Sequence, residues 1–277
     1  MAPPGYPLIV IGMHRSGTSL VARLLRRAGV HLGADLNDHD ESDFFGALNR
    51  RCFQAAHAEW DWPQAMLPLL DDGPSCEALV AELGAVCASR AARPFLGWRR
   101  WLRGQQLADL SEPWGWKDPR STCTLPLWLR IFPTARVVNV YRDGIDVAGS
   151  LVARERRRQG RLANAVRSSR CLDLERAFEL WCEYVEASLR TTQELPPRRV
   201  RDVRYEALLE KPEERIRELL EFVGVPVPDE DLRALAAEVD PERGPARRRE
   251  PELAELARAK ADHPLLRRLE YGGDPWP

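Results

Sequence analysis

The sequence is poor in lysine and lacks paired cysteines and long apolar runs. Only Lys117, Lys211 and Lys260 are lysines, so arginine carries nearly all of the positive charge. The six cysteines are scattered without a CxxC pair, and no histidine stands at metal-ligand spacing from them, which argues against a zinc site or a disulfide scaffold. The apolar run at the N-terminus is too short for a signal peptide or a membrane span, so we expect a cytoplasmic protein.

Acidic and basic residues are almost equal in number. The 277 residues include 41 Lys and Arg against 42 Asp and Glu, a net charge of -1 at pH 7. No overall field therefore draws the chain to nucleic acid or to an anionic membrane, and any anion site has to be local. With 44% hydrophobic residues, the chain can bury one large core, and we expect a single domain over 1–277.

Strand and helix patterns alternate along the chain. Short buried strands are predicted at Pro7 to Gly12, Trp114 to Lys117, Arg136 to Tyr141 and near 199–203, with amphipathic helices between them. This alternation predicts an α/β fold, a mostly parallel sheet flanked by helices. A helical segment interrupted by prolines, at about 41–110, is predicted to form a cap insertion, and a basic tail covers about 241–277.

The segment GMHRSGTS, from Gly12 to Ser19, follows the first predicted strand and opens the first helix. Backbone N–H groups at such a turn converge on one point, where the helix dipole favours an anion. The alternative is an ordinary turn that binds nothing. Thr18 stands where GxxxxGK[ST] requires lysine, and no strand plainly supplies an aspartate for Mg²⁺, which disfavours ATP or GTP chemistry.

Four segments resemble, in the expected order, three blocks of the sulfotransferase family. GMHRSGTS is similar to the family's 5′-phosphosulfate loop, in the RSGT form of bacterial and Golgi members. The family's middle block is resembled by two segments, WGWKDPR at 114–120 and RVVNVYRDGIDVAGS at 136–150. The family's RYEDLL segment is resembled by RYEALLEKP at 204–212. The resemblance spans about 7–225 and implies a nucleotide-kinase-like P-loop fold. It also implies metal-free transfer of a sulfuryl group from 3′-phosphoadenosine 5′-phosphosulfate (PAPS) to a hydroxyl or amine of a small-molecule or saccharide acceptor.

The resemblance further implies which residues bind the donor. In the loop these are His14, Arg15, Ser16, Gly17, Thr18 and Ser19. Arg142 at the end of a predicted strand, with Ser150 in the next helix, is expected to hold the 3′-phosphate, since ligands of open parallel sheets bind at the carboxyl ends of the strands. The alternative for Arg142 is a surface ion pair with Asp143 or Asp146. Tyr205 is expected near the adenine or, equally, in the core.

Sulfuryl transfer needs cations at the leaving oxygen and a base for the acceptor. Lys117, a compact ammonium at a strand end, is the candidate cation, and Arg15 is expected to share the role. The structural alternative is an ion pair between Lys117 and Asp118. By the same resemblance Asp35 is the candidate base, and the acidic loop offers as alternatives Asp38, His39, Asp40, Glu41 and Asp43.

Two other functions compete with the sulfotransferase interpretation: a P-loop kinase that uses ATP and Mg²⁺, and a nucleotide-binding protein that has lost catalysis. In the cap, Trp60, Trp62, Trp98 and Trp101 could stack on an acceptor, although core positions are the favoured interpretation. The arginine run at 243–249 could add contacts to the 3′-phosphate, although a solvated tail is the favoured interpretation.

Overall fold

The computed structural model describes residues 5–159, 166–241, 244 and 250–271. Within these residues, four parallel strands form one sheet in the order β2-β1-β3-β4. The strands are β1 Pro7–Ile11, β2 Trp114–Lys117, β3 Arg136–Tyr141 and β4 Val200–Arg204. The predicted parallel sheet is confirmed, with each strand within one residue of its predicted bounds.

Helices follow the strands and fill the connections. They are α1 Thr18–Arg27, α2 Asp43–Ala55, α3 Met66–Asp71, α4 Gly73–Cys87, α5 Arg93–Leu96, α6 Trp98–Leu102, α7 Ser121–Ile131, α8 Gly144–Gln159, α9 Leu174–Thr192, α10 Tyr205–Glu210, α11 Pro212–Val223, α12 Asp229–Ala236, α13 Pro251–Ala259 and α14 Pro264–Arg268. The first turn of α7, from Ser121 to Thr124, is polar and carries no apolar periodicity.

Successive side chains of β1 enter two separate apolar cores. Leu8 and Val10 pack with α1, α11 and α12, whereas Ile9 and Ile11 pack with the cap and with α7, α8 and α9. All residues of β1 are buried, which explains why the sequence shows a continuous apolar run instead of an alternating one. Since the strands are parallel, their carboxyl ends meet at one edge of the sheet, where ligands of such folds bind.

The predicted cap segment contains α2 to α6 and packs on the second core. Its Phe45 stacks on Trp116 of β2, with 3.9 Å between the ring centroids. Trp60 is partly buried against this core. Trp62, Trp98 and Trp101 are 60%, 65% and 42% exposed, so the core interpretation is wrong for these three. They lie beside or within helical turns that are too short to bury a face. None of the described helices is long and apolar enough to cross a membrane.

Part of the predicted basic tail contributes to the core. Leu253 of α13 packs against Gly149 of α8, where an added Cβ would lie 2.7 Å from the leucine side chain. Leu266 of α14 and Tyr271 are buried as well. The arginine run at 243–249, apart from Gly244, lies outside the described residues.

Candidate active site

The turn between β1 and α1 has the geometry of an anion site. Gly17 is the N-cap of α1 with φ of 95°, and an added Cβ there would lie 2.3 Å from the ring of Tyr205, so only glycine fits. No side chain caps α1. Among the described residues, the N–H groups of Thr18 and Ser19 therefore have no protein partner. Unpartnered amides at a helix N-terminus suit one phosphate group.

The predicted donor-binding residues of the loop divide into two groups. The first group lines an open cavity of about 540 Å³ and consists of Arg15, Gly17, Thr18 and Ser19. The same cavity is lined by His39, Arg142 and Tyr205. The structure does not bring His14 and Ser16 to this cavity. The Ser16 amide donates to the carbonyl of Met13, and its buried hydroxyl has no partner among the described residues.

His14 points away from the cavity, toward α9 and the cap. Its ring makes edge contacts with Trp60 and Tyr184, at centroid distances of 5.0 and 6.1 Å. Burial, and then the positive charges of Arg154 and Lys117, hold the pKa of His14 well below its usual value. The imidazole is therefore neutral at pH 7 and adds no charge to the donor site.

Lys117 ends β2 with its ammonium against the anion turn. Its Nζ donates to the His39 carbonyl at 2.7 Å, to Glu41 Oε1 at 3.0 Å and to Ser19 Oγ at 3.2 Å, and the side chain is 1% exposed. Ser19 is the second residue of α1 and carries one of the unpartnered amides. The ammonium of Lys117 therefore contacts the side chain of a residue whose own amide faces the anion site. The alternative pairing with Asp118 is not formed.

Asp118 instead organises the start of α7. Its carboxylate accepts hydrogen bonds from the backbone and side chain of Arg120 and, at 2.9 Å, from Asn49 Nδ2. Arg120 in turn lies 3.9 Å from Glu41 Oε2. The buried network thus leaves Glu41, rather than Asp118, as the carboxylate that faces Lys117.

The other acids of the loop are engaged elsewhere or exposed. Asp35 Oδ2 accepts from the amide of Phe44 at 2.7 Å and from Ser42 Oγ at 3.2 Å, which places it at the N-terminus of α2. Asp40 pairs with two arginines of α1. Asp38 and Asp43 are exposed, and His39, also exposed, offers Lys117 its carbonyl oxygen and not its ring.

Arg142 and Ser150 meet Arg15 on the other side of the turn. Arg15 Nε donates to Ser150 Oγ at 2.9 Å, and the guanidinium of Arg142 stacks on Tyr205 at 4.9 Å. Arg142 Nη2 also lies 3.7 Å from Asp146 Oδ2, so the pairing with Asp146 is present at a long distance, but it is largely buried and not at the surface. The buried Nε of Arg142 has no hydrogen-bond partner among the described residues.

Positive charge is crowded around Arg15. Burial, and then the charges of Arg154, Arg157 and Arg142, lower its pKa from the usual value. Within the described residues, no carboxylate forms an ion pair with Arg15, Arg154 or Arg157, so an anionic ligand would relieve this repulsion. That Arg154 lies near Arg15 was not predicted from the sequence. The one pattern that could have indicated it is the position of Arg154 four residues after Ser150 in α8, which places both residues on the same helix face. Arg154 stacks on Trp60 at 5.0 Å.

This fold and this site define an α/β protein with a turn of anion-site geometry at the edge of a parallel sheet. A model of the sulfotransferase family matches residues 7–229, and the chain therefore belongs to that family. The protein is thus a sulfotransferase, an enzyme of sulfuryl transfer.

Solved structures of similar fold are also sulfotransferases. One from Alicyclobacillus acidocaldarius is 16% identical, with a TM-score of 0.51, and the match covers 99% of this chain and 98% of that chain. A mouse sulfotransferase complexed with PAP is 11% identical, with a TM-score of 0.50, covering 96% of this chain and 87% of that chain. At these identities the likeness is one of fold alone. No curated protein matches the sequence.

Proposed function

We propose that the chain transfers a sulfuryl group from PAPS to a hydroxyl or amine of a small-molecule or saccharide acceptor. The observation that carries the proposal is the juxtaposition of the uncapped amides of Thr18 and Ser19 with the buried ammonium of Lys117. The amides match a 5′-phosphate, and the ammonium matches negative charge on an oxygen attached to it. The fold similarity to a mouse enzyme complexed with PAP supports the same donor.

The two ends of the donor have separate sites in this proposal. Its 5′-phosphosulfate binds at the anion turn, beside Arg15. Its 3′-phosphate binds between Arg142 and Ser150, and the adenosine lies along the cavity wall that Tyr205 lines. Two phosphate groups bring negative charge to a region where Arg15, Arg142, Arg154 and Arg157 otherwise repel one another. Electrostatics therefore favours a doubly phosphorylated nucleotide here over a singly phosphorylated one.

The chemistry is an in-line displacement at sulfur. The acceptor oxygen or nitrogen forms a bond to sulfur while the bond from sulfur to the 5′-phosphate oxygen breaks, and adenosine 3′,5′-diphosphate (PAP) leaves. Lys117 and Arg15 stabilise the charge that develops on the leaving oxygen. The proton of the acceptor passes to a carboxylate.

We propose Glu41 as that carboxylate. Its Oε1 lies 3.0 Å from Lys117 Nζ, so the base and the leaving-group cation share one site. Asp35, the base expected by resemblance, accepts two hydrogen bonds at the start of α2 and forms no contact with Lys117. Asp35 Oδ2 is thus directed at a backbone and a hydroxyl donor, while its Oδ1 is buried without a hydrogen-bond partner among the described residues.

Transfer of radiolabelled sulfate from PAPS to a panel of hydroxyl and amine acceptors tests the reaction and separates the two carboxylates. Glu41→Gln should lower turnover by about 10²- to 10⁴-fold, the range of general-base contributions. The matched variant Asp35→Asn should keep turnover in the folded protein and lower the free energy of unfolding by about 1 kcal/mol, as for a lost helix cap. The reverse pattern would assign the base to Asp35, and PAP binding without any label transfer would contradict the proposed reaction.

A further inference from the structure

The outer face of α6 combines exposed aromatic and aliphatic side chains with arginines. Trp98, Trp101 and Leu102 are 65%, 42% and 66% exposed and, at positions i, i+3 and i+4, share one helix face. The helix buries none of its residues. With Arg99 and Arg103 they form what we call the α6 patch. Single exposed apolar residues are common, but adjacent large ones mark an interaction surface.

The α6 patch is cationic without compensation. Arg99 stacks on Trp98 at 5.3 Å, and Arg93 of α5 stacks on Trp101 at 4.9 Å. In the part of the chain that the structure describes, neither these two arginines nor Arg103 forms an ion pair with a carboxylate, whereas Arg100 of the same helix pairs with Glu112. The sequence contains no acidic residue between Glu82 and Asp109. This local excess of charge contrasts with the net charge of -1 of the whole chain.

We propose that the α6 patch docks on the surface of a lipid bilayer that contains anionic headgroups. Such an interface offers both of the environments that the patch requires, because headgroup phosphates attract arginine while tryptophan and leucine insert at the boundary with the acyl chains. A second copy of this chain fits poorly, because a twofold interface would place the arginines of both copies against each other. Nucleic acid offers phosphates but no apolar layer for Leu102.

The position of α6 is compatible with catalysis on the membrane. Phe95, at the end of α5, packs edge-on against Trp114 at a centroid distance of 5.9 Å. Trp114 begins β2, whereas Lys117 ends it. The α6 patch therefore lies toward the amino end of this strand, and the donor cavity opens at the carboxyl end. Docking is independent of the proposed donor and acceptor.

Co-sedimentation with vesicles tests the inference. The full chain should bind vesicles of phosphatidylcholine mixed with phosphatidylglycerol, should bind pure phosphatidylcholine vesicles much more weakly, and should dissociate as salt is raised. The double variant Arg99→Gln/Arg103→Gln should lower the partition coefficient roughly thirtyfold, from about 1 kcal/mol per arginine at an anionic surface. Trp98→Ala/Trp101→Ala should also weaken binding and abolish a blue shift of tryptophan fluorescence on vesicle addition.

Trp62 supplies a matched control, because it is 60% exposed and stacks beside Arg170, outside the patch. Trp62→Ala should bind vesicles as the unchanged chain does. Circular dichroism should show all variants folded, and PAP binding should be unaltered. Equal vesicle binding by the patch variants and the unchanged chain would overturn the inference. So would absence of binding to anionic vesicles, or a dimer in sedimentation velocity that the patch substitutions abolish.

Discussion

Replacing Lys117 with methionine removes a buried ammonium and retains a side chain of similar length. Three acceptors lose this donor, namely the His39 carbonyl, Glu41 Oε1 and Ser19 Oγ, although the His39 carbonyl keeps a hydrogen bond from Ser19 Oγ at 2.9 Å. If the ammonium stabilises charge that develops on the leaving oxygen, the lost interaction belongs mainly to the transition state. Turnover should then fall steeply while the affinity for PAP changes little.

The magnitudes follow from the contacts. Loss of one preorganised donor at a developing charge typically costs about 10²- to 10³-fold in rate, or about 3 to 4 kcal/mol. For stability, each hydrogen bond of a charged group contributes about 1.5 to 3 kcal/mol, but removal of the ammonium also removes the cost of its burial. Glu41 keeps Arg120 at 3.9 Å as a second cation. We therefore expect a net loss in the free energy of unfolding of about 1 to 3 kcal/mol.

Single-turnover transfer, PAP titration and chemical denaturation should be measured on the same preparations of Lys117→Met. Lys211→Met is the matched control, because Lys211 is 62% exposed and its pair with Glu214 spans 3.7 Å on the surface. The control should change stability by less than about 1 kcal/mol and leave transfer unaltered. If Lys117→Met is destabilised yet its folded fraction turns over within a few-fold of the unchanged enzyme, the role of Lys117 is structural and our reasoning is refuted.

Other substitutions test the remaining parts of the site. Arg142→Ala should weaken PAP about tenfold to a hundredfold while scarcely affecting adenosine 5′-monophosphate, and equal weakening in calorimetry would make the residue structural. Gly17→Ala places a Cβ 2.3 Å from the Tyr205 ring and should lower both Tm and PAP affinity. Gly84→Ala in α4 meets no atom within 4 Å and should add about 0.5 to 1 kcal/mol in denaturation, so similar effects of the two would contradict the packing argument. Because the pKa of His14 is lowered in the folded state, the unfolded chain binds more protons than the folded chain below about pH 6.5. The free energy of unfolding should therefore decrease as pH is lowered below that value, by at most about 1.4 kcal/mol per pH unit. An unchanged slope in His14→Asn would contradict this.

The strands and the anion turn were predictable because their signals are local. The segment from Pro7 to Ile11 is continuously apolar and is followed by Gly12. Glycine is required at position 17 because φ is positive there and the Tyr205 ring packs against it. The position of Lys117 beside the turn was predictable from its place at a strand end, while its catalytic role stays a prediction. In each case the physical requirement falls on a few consecutive residues, so the pattern is visible without tertiary contacts.

The position of each acid and the charged surroundings of the site were not predictable to the same degree, and the identity of the base stays a proposal. Several acids share one loop, and only the fold places Asp35 beside the first turn of α2 and Glu41 beside Lys117. Arg154 lies close enough to Arg15 to lower its pKa and stacks on Trp60, a partner far away in the chain. Trp98 was expected in the core, because its hydrophobicity does not reveal that α6 is too short to bury a face. Partners distant in sequence decided the first two outcomes, and the length of α6 decided the third.

Calorimetric titration with PAP in a chelator-containing buffer, alongside ATP with Mg²⁺, tests the central claim most directly. The uncapped amides of Thr18 and Ser19 and the arginines around Arg15 should bind PAP without added metal, and saturating PAP at a hundred times its Kd should raise the apparent stability by about 2.7 kcal/mol. ATP with Mg²⁺ should bind far more weakly. PAP binding that the chelator abolishes, or tighter binding of ATP with Mg²⁺ than of PAP, would contradict the account of this site.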